Sequence, residues 1–162
     1  MTLGWVFLNA RQYDQSSEQL RKTLEMDRNF VLAHHRLGLV YEQQGKYDEA
    51  IAEFRQVVNL TVGKPLGITA LAQAYALSGK RAEAQKTLAE LQEISKQRYV
   101  SPAAIAIVYA ALDDKDQAFA WLEKADKAHD ALLARVKVDP RFDSLRSDPR
   151  FNDLAKRVGL PQ

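Results

Sequence analysis

Apolar and small residues recur along this chain at a fixed offset of 34 positions. Leu3, Leu37, Leu71 and Ile105 form one column, and Gly4, Gly38, Ala72 and Ala106 stand directly after them. Phe7, Tyr41, Tyr75 and Tyr109 follow three places on. Ser16, Ala50, Ala84 and Ala118 make a second small-residue column, with Leu20, Phe54, Leu88 and Leu122 four places further. A constant period with the same residue character at five columns predicts stacked units, each burying its apolar face against the next. Within a unit the apolar spacing is helical: Ala50, Ile51, Phe54, Val57 and Val58 form one stripe. The predicted fold is therefore all-α, a superhelical array of antiparallel helix hairpins.

The punctuation of the chain supports two helices per unit. In the second unit the pattern predicts helices over Phe30–Gln44 and from Lys46 to about Leu60, separated by Gly45 as a helix C-cap. The third repeats this over Pro65–Ser78 and Arg81–Lys96, with Gly79 in the turn. The fourth opens on Ser101-Pro102, an N-cap followed by proline at the first helical position, and predicts helices over Pro102–Leu112 and Lys115–His129. The first unit keeps only the end of its first helix, then a helix over Asp14 to Glu25. Met1 thus falls inside an expected helix, and an upstream part of a longer parent is expected. The glycine and alanine columns let two helices approach closely, Gly38 being placed opposite the Ala50 region of its own hairpin and Tyr41 between neighbouring hairpins.

The columns resemble the tetratricopeptide repeat family. In the second unit His34, Leu37, Gly38, Tyr41, Ala50 and Phe54 follow the W-x2-L-G-x2-Y…A-x3-F spacing, with histidine in the tryptophan place. The third keeps Leu71, Ala72, Tyr75, Ala84 and Leu88, and the fourth Ile105, Ala106, Tyr109, Ala118 and Leu122. The family's closing proline is missing throughout. The expected organisation is a tetratricopeptide-like α-solenoid over residues 1–131, with units at about 1–30 (truncated), 31–64, 65–98 and 99–131. Residues 132–162 form a C-terminal helical cap.

That tail has its own pattern. Asp139-Pro140-Arg141-Phe142 recurs nine residues later as Asp148-Pro149-Arg150-Phe151. Asp-Pro opens a helix, with a carboxylate cap and proline at the first position. Short helices are expected over Pro140–Arg146 and Pro149–Val158, the second ending at Gly159. Phe142, Leu145, Phe151 and Leu154 are expected to bury against the open end of the last repeat. The tail is similar to the C-terminal part of repeat-bearing bacterial regulators and serine/threonine kinases. This implies a bacterial parent with an upstream effector domain.

Composition removes several classes of function. The 162 residues contain 23 basic and 21 acidic side chains, a net charge of +2, which makes no electrostatic case for nucleic acid. There is no cysteine, so disulfides and thiolate metal sites do not arise. The longest apolar stretch, Ala103 to Leu112, is about half of a bilayer span. With no signal peptide in view, a cytoplasmic location is expected. His34 and His35 point about 100° apart on a helix and cannot chelate one ion together. Asp113-Asp114 lie where Gly45-Lys46 and Gly79-Lys80 lie, so they read as turn residues rather than a cation site. No catalytic constellation, HExxH or phosphate loop is present. No catalytic residue, metal or cofactor is assigned.

What remains is binding. The family resemblance implies that the first helix of each repeat lines a concave groove, with contacts at the second, fifth, ninth and twelfth places. Carried over, these are Trp5 and Leu8 in the first unit, and Leu32, His35, Leu39 and Glu42 in the second. The third gives Leu66, Thr69, Gln73 and Ala76, and the fourth Ala103, Ile107 and Ala110. The places are mostly apolar or small, which suits an extended or helical peptide with hydrophobic anchors. The helix from Ala103 to Leu112 is apolar nearly all round and calls for a cover. The chain's own Leu132–Val138, a second copy making a homodimer, or the upstream domain could supply one. The expected function is a non-enzymatic scaffold for a protein or peptide partner. The alternative is a regulatory or oligomerisation module acting on its own effector domain.

Overall fold

The computed structural model describes residues 12–62 and 64–159. Among them, seven helices run in chain order before the tail: α1 (Tyr13–Met26), α2 (Val31–Gln43), α3 (Tyr47–Thr61), α4 (Pro65–Leu77), α5 (Arg81–Ser95), α6 (Pro102–Ala111) and α7 (Lys115–Lys127). The expected boundaries hold to within a residue or two. Each helix packs on its chain neighbours, and the first helices of successive units also pack on one another, α2 on α4 and α4 on α6. This is an all-helical solenoid.

The hairpin turns repeat in atomic detail. Gly45, Gly79 and Asp113, one period apart, hold φ of 72°, 77° and 59°. In each turn the next N–H returns to the tyrosine carbonyl of its own unit: Lys46 to Tyr41 at 2.8 Å, Lys80 to Tyr75 at 2.9 Å, Asp114 to Tyr109 at 3.0 Å. This is the helix stop that favours glycine, and Asp113 fills the third place because aspartate tolerates left-handed backbone.

The small-residue columns are packing devices. A Cβ on Gly38 would lie 2.4 Å from Phe54 Cε1. The close neighbour of Gly38 is thus the Phe54 ring, one helical turn on from Ala50 in the same hairpin. The tyrosine column ties unit to unit. Arg21 donates to the Tyr41 hydroxyl at 2.8 Å and Arg55 to that of Tyr75 at 3.0 Å. Position 89, the next in that column, is alanine, and Gln92 one turn on donates to Tyr109 instead, at 3.0 Å.

Beyond α7 come two 3-10 helices, Ala131–Arg135 and Pro140–Leu145, and then α8 (Pro149–Arg157). The expected helix at Pro140 is thus a 3-10 turn, and the sequence reading had no element at Ala131. The three segments are one motif at a nine-residue period. Asp130, Asp139 and Asp148 each accept the N–H two residues on, from Leu132 (3.0 Å), Arg141 (3.1 Å) and Arg150 (3.0 Å). Three and six residues after each aspartate stand buried apolar side chains: Leu133 and Val136, Phe142 and Leu145, Phe151 and Leu154. Both 3-10 helices pack on α6, whereas α8 packs on α7. Arg157 bonds Glu123 and Asp126 of α7, so Glu123 pairs across elements rather than with Lys127 as its spacing suggests.

Candidate interaction groove

Because α2, α4 and α6 stand side by side, their equivalent positions form columns along one face, the face that the resemblance makes the concave one. Each column changes character along the array. Leu32 and Leu66 begin the face and are 45% and 43% exposed. In the next column His35 is half-buried and Thr69 and Ala103 buried; in the third Leu39, Gln73 and Ile107 are all buried. In the last, Glu42 and Ala110 are buried and Ala76 half-buried. Trp5 and Leu8 lie outside the described residues.

The α6 part of this face is closed by the chain itself. Ala103 and Ile107 are fully buried, in one apolar cluster with Leu133, Val136, Phe142 and Leu145. Of the two readings of this helix, groove lining and a covered surface, the burial fits the second, with a cover that extends past Leu132–Val138 to Leu145. The reason is composition: α6 has no polar face to turn to solvent. The Asp130 carboxylate fixes the start of the cover, accepting from Ser101 Oγ at 2.6 Å and from the Ala103 N–H at 3.2 Å.

The tail also borders a cavity of about 420 Å³ at the far end of the face. Glu42 and Gln43 of α2, Tyr47, Gln73 and Leu77 of α4, Ala110 and Ala111 of α6, and Asp113 line one side; Pro140, Arg141 and Ser144 of the second 3-10 helix line the other. Arg141 is held in place by Asp139, through Nε to Oδ1 at 2.9 Å and a terminal nitrogen to Oδ2 at 2.6 Å. Burial opposes a charge on Asp139, but these bonds from Arg141 hold its carboxyl below the usual carboxylate range. Burial pushes Glu42 up to about 8, with the Arg141 charge pulling it back. Burial takes His35 down to about 4, helped by the positive charges of Arg141 and Arg36. His35 is therefore neutral, with its ring 5.9 Å from that of Phe54.

His34 serves the hairpin. Its Nδ1 lies 2.6 Å from Glu53 Oε2 on α3 and its Nε2 2.8 Å from the Arg28 carbonyl. It occupies the ring position of the motif by hydrogen bonding, joining α2 to its partner helix. Among the described residues, no group of three histidine, aspartate or glutamate side chains is placed to hold a metal ion. None of the described helices is long and apolar enough to cross a membrane.

Arg141, Ser144 and Tyr47 were not among the groove residues expected from sequence. The family positions point only to first helices, whereas these residues come from the tail and a second helix. The one available signal was the Asp139-Pro140-Arg141-Phe142 motif, which marks a cap but not the surface it lies on.

Comparison with known proteins agrees with this architecture. The tetratricopeptide repeat family model matches residues 1–62. No curated protein gave a match. Among solved structures, that of MamA is similar at 18% identity and a TM-score of 0.56, covering 98% of this chain and 93% of its own. A Podosopora anserina structure of nearly identical TPR-like repeats is similar at 18% identity and a TM-score of 0.56, covering 96% and 90%. At such identities the likeness concerns the fold. The resemblance read from the repeat columns holds, and the chain is a tetratricopeptide-like solenoid.

Proposed function

We propose that this tetratricopeptide-like array is a non-enzymatic protein-binding scaffold that takes an extended segment of a partner along α2 and α4. The observation that carries this reading is the contrast along one concave face. Over α6 the tail occupies it, while on α2 and α4 the face begins with the exposed Leu32 and Leu66, although the deeper places Leu39, Thr69 and Gln73 are buried. Leu32 and Leu66 sit one repeat apart, so a single extended segment meets both in sequence, with apolar anchors suited to them. The segment then runs toward the cavity beside Glu42 and Gln73.

The test is selection of binders from a random peptide library, followed by titration against the Leu32→Glu, Leu66→Glu double variant. Both residues are surface positions, so the helical circular dichroism should be unchanged. Selected peptides are expected to lose at least tenfold in affinity, about 1.4 kcal/mol. Undiminished binding to the folded double variant would refute this use of the groove.

A further inference from the structure

We propose that the cavity between α2, α4, α6 and the second 3-10 helix is a subsite for a cationic side chain, the ammonium of lysine or the guanidinium of arginine, with the Glu42 carboxylate as its acceptor. This deepens the peptide-binding reading and rests on it. Glu42 is 5% exposed, and neither carboxylate oxygen has a hydrogen-bond partner among the described residues. Buried polar groups are nearly always paired, so an unpaired acid lining a cavity marks a place for a donor. None of the described residues supplies that donor. Arg141 faces the same cavity, but its Nε and one terminal nitrogen are bound to Asp139.

The other walls suit a cation on a flexible stem. Leu77, Ala110, Ala111 and Pro140 offer apolar contact to methylenes, and Tyr47 contributes an aromatic ring. Asp113 adds a second acid at the rim, while the one basic lining residue is already neutralised by Asp139. The local balance therefore excludes an anion.

The site carries a pH signature. Empty, Glu42 titrates at about 8, so it is mostly protonated at neutral pH. Of the groups around it, His35 on its own helix is neutral down to about 4 and the carboxyl of Asp139 is held low, while Arg36 and Arg141 supply positive charge nearby. A bound cation requires the carboxylate and so displaces the proton. Affinity for the cation should rise as pH rises toward 8, on the order of tenfold per unit below that value, and level off above it.

The experiment uses the whole chain and a defined probe, Nα-acetyl-lysine methylamide, titrated by amide NMR. The expected result is a saturable shift at Gln73, Arg141 and Ser144 that tightens with pH. It should vanish for the Nε-acetylated probe and for Glu42→Gln, a near-isosteric change that keeps the fold. No saturable shift at these residues in the wild type, or an unchanged one in Glu42→Gln, overturns the subsite. In parallel, library peptides selected on the wild type should share one lysine or arginine that Glu42→Gln does not select. Peptides that bind without that preference overturn the subsite but leave the groove standing. A library that yields no binder counts against the groove, and the lysine probe still decides the subsite.

Discussion

The array and the tail of this molecule are both periodic, yet the two periods do different things. In the array a 34-residue unit meets the same surroundings each time, so one column keeps one job: Gly45, Gly79 and Asp113 all turn left-handed, and Tyr41, Tyr75 and Tyr109 all accept a bond from the preceding unit. In the tail the nine-residue unit repeats only its local structure, an aspartate cap and two apolar residues. Its copies reach different surfaces. Phe142 seals the concave side of α6, while Phe151 belongs to α8, which packs on α7. Arg141 and Arg150 both clasp their own aspartate, but Arg141 borders the cavity and Arg150 goes on to Asp116 at 2.9 Å and to the Phe119 ring. The local motif fixes the aspartate cap but neither the helix type nor the neighbour; the stacked repeat fixes both.

The sharpest way to break this contrast is Phe142→Ala. The side chain is fully buried, so a loss of ~3–5 kcal/mol in urea unfolding is expected. Phe151→Ala should cost a similar amount but leave α6 sealed, so only the first variant should speed hydrogen exchange along α6 selectively. Equal exchange in the two would mean that the two tail units share one role.

Next in size is Gly38→Ala in the array. An exposed helical glycine gains about 0.5–1 kcal/mol on replacement by alanine. Here the added Cβ collides with Phe54, itself fully buried, and a net loss of ~1–3 kcal/mol is expected by thermal or urea unfolding. A gain in stability would show that the column reflects propensity rather than packing.

The smallest effect is expected at Asp113→Gly. Restoring the residue that its column prefers at φ 59° should stabilise the fold by at most about 1 kcal/mol, read as a small rise in the unfolding midpoint. A loss would mean that the Asp113 side chain contributes more than the backbone it strains.

The array was legible because each of its columns has a single physical cause. Gly38, Tyr41, Gly45 and Phe54 could be assigned their jobs from spacing, although the Phe54 ring as the nearest neighbour of Gly38 needed the structure. The tail was half legible. The two Asp-Pro-Arg-Phe copies announced themselves through proline and phenylalanine. The Asp130 copy has Ala131 and Leu133 in those places, so nothing marked it as a third copy of the motif. The groove was least legible. Its columns follow from the period, but its occupant is set by where an irregular segment lands. Nothing in the spacing of Phe142 or Leu145 tells that they meet Ala103 and Ile107 across the fold. The unpaired state of Glu42 was equally hidden: its place in the repeat put it on the groove, but its burial and lack of a partner depend on residues that meet it across the fold.

The central claim is that the tail occupies the concave face of α6 while the start of that face on α2, at Leu32, stays open. The absence of cysteine from the chain makes a direct test clean. Single cysteines are introduced as Ile107→Cys and Leu32→Cys, and their native-state reaction with a thiol reagent is timed. The Leu32→Cys thiol should react at the rate of an unstructured peptide and the Ile107→Cys thiol only through opening of the fold, with Phe142→Ala accelerating the latter alone. Equal, fast labelling at both positions in the otherwise unaltered chain would contradict the account.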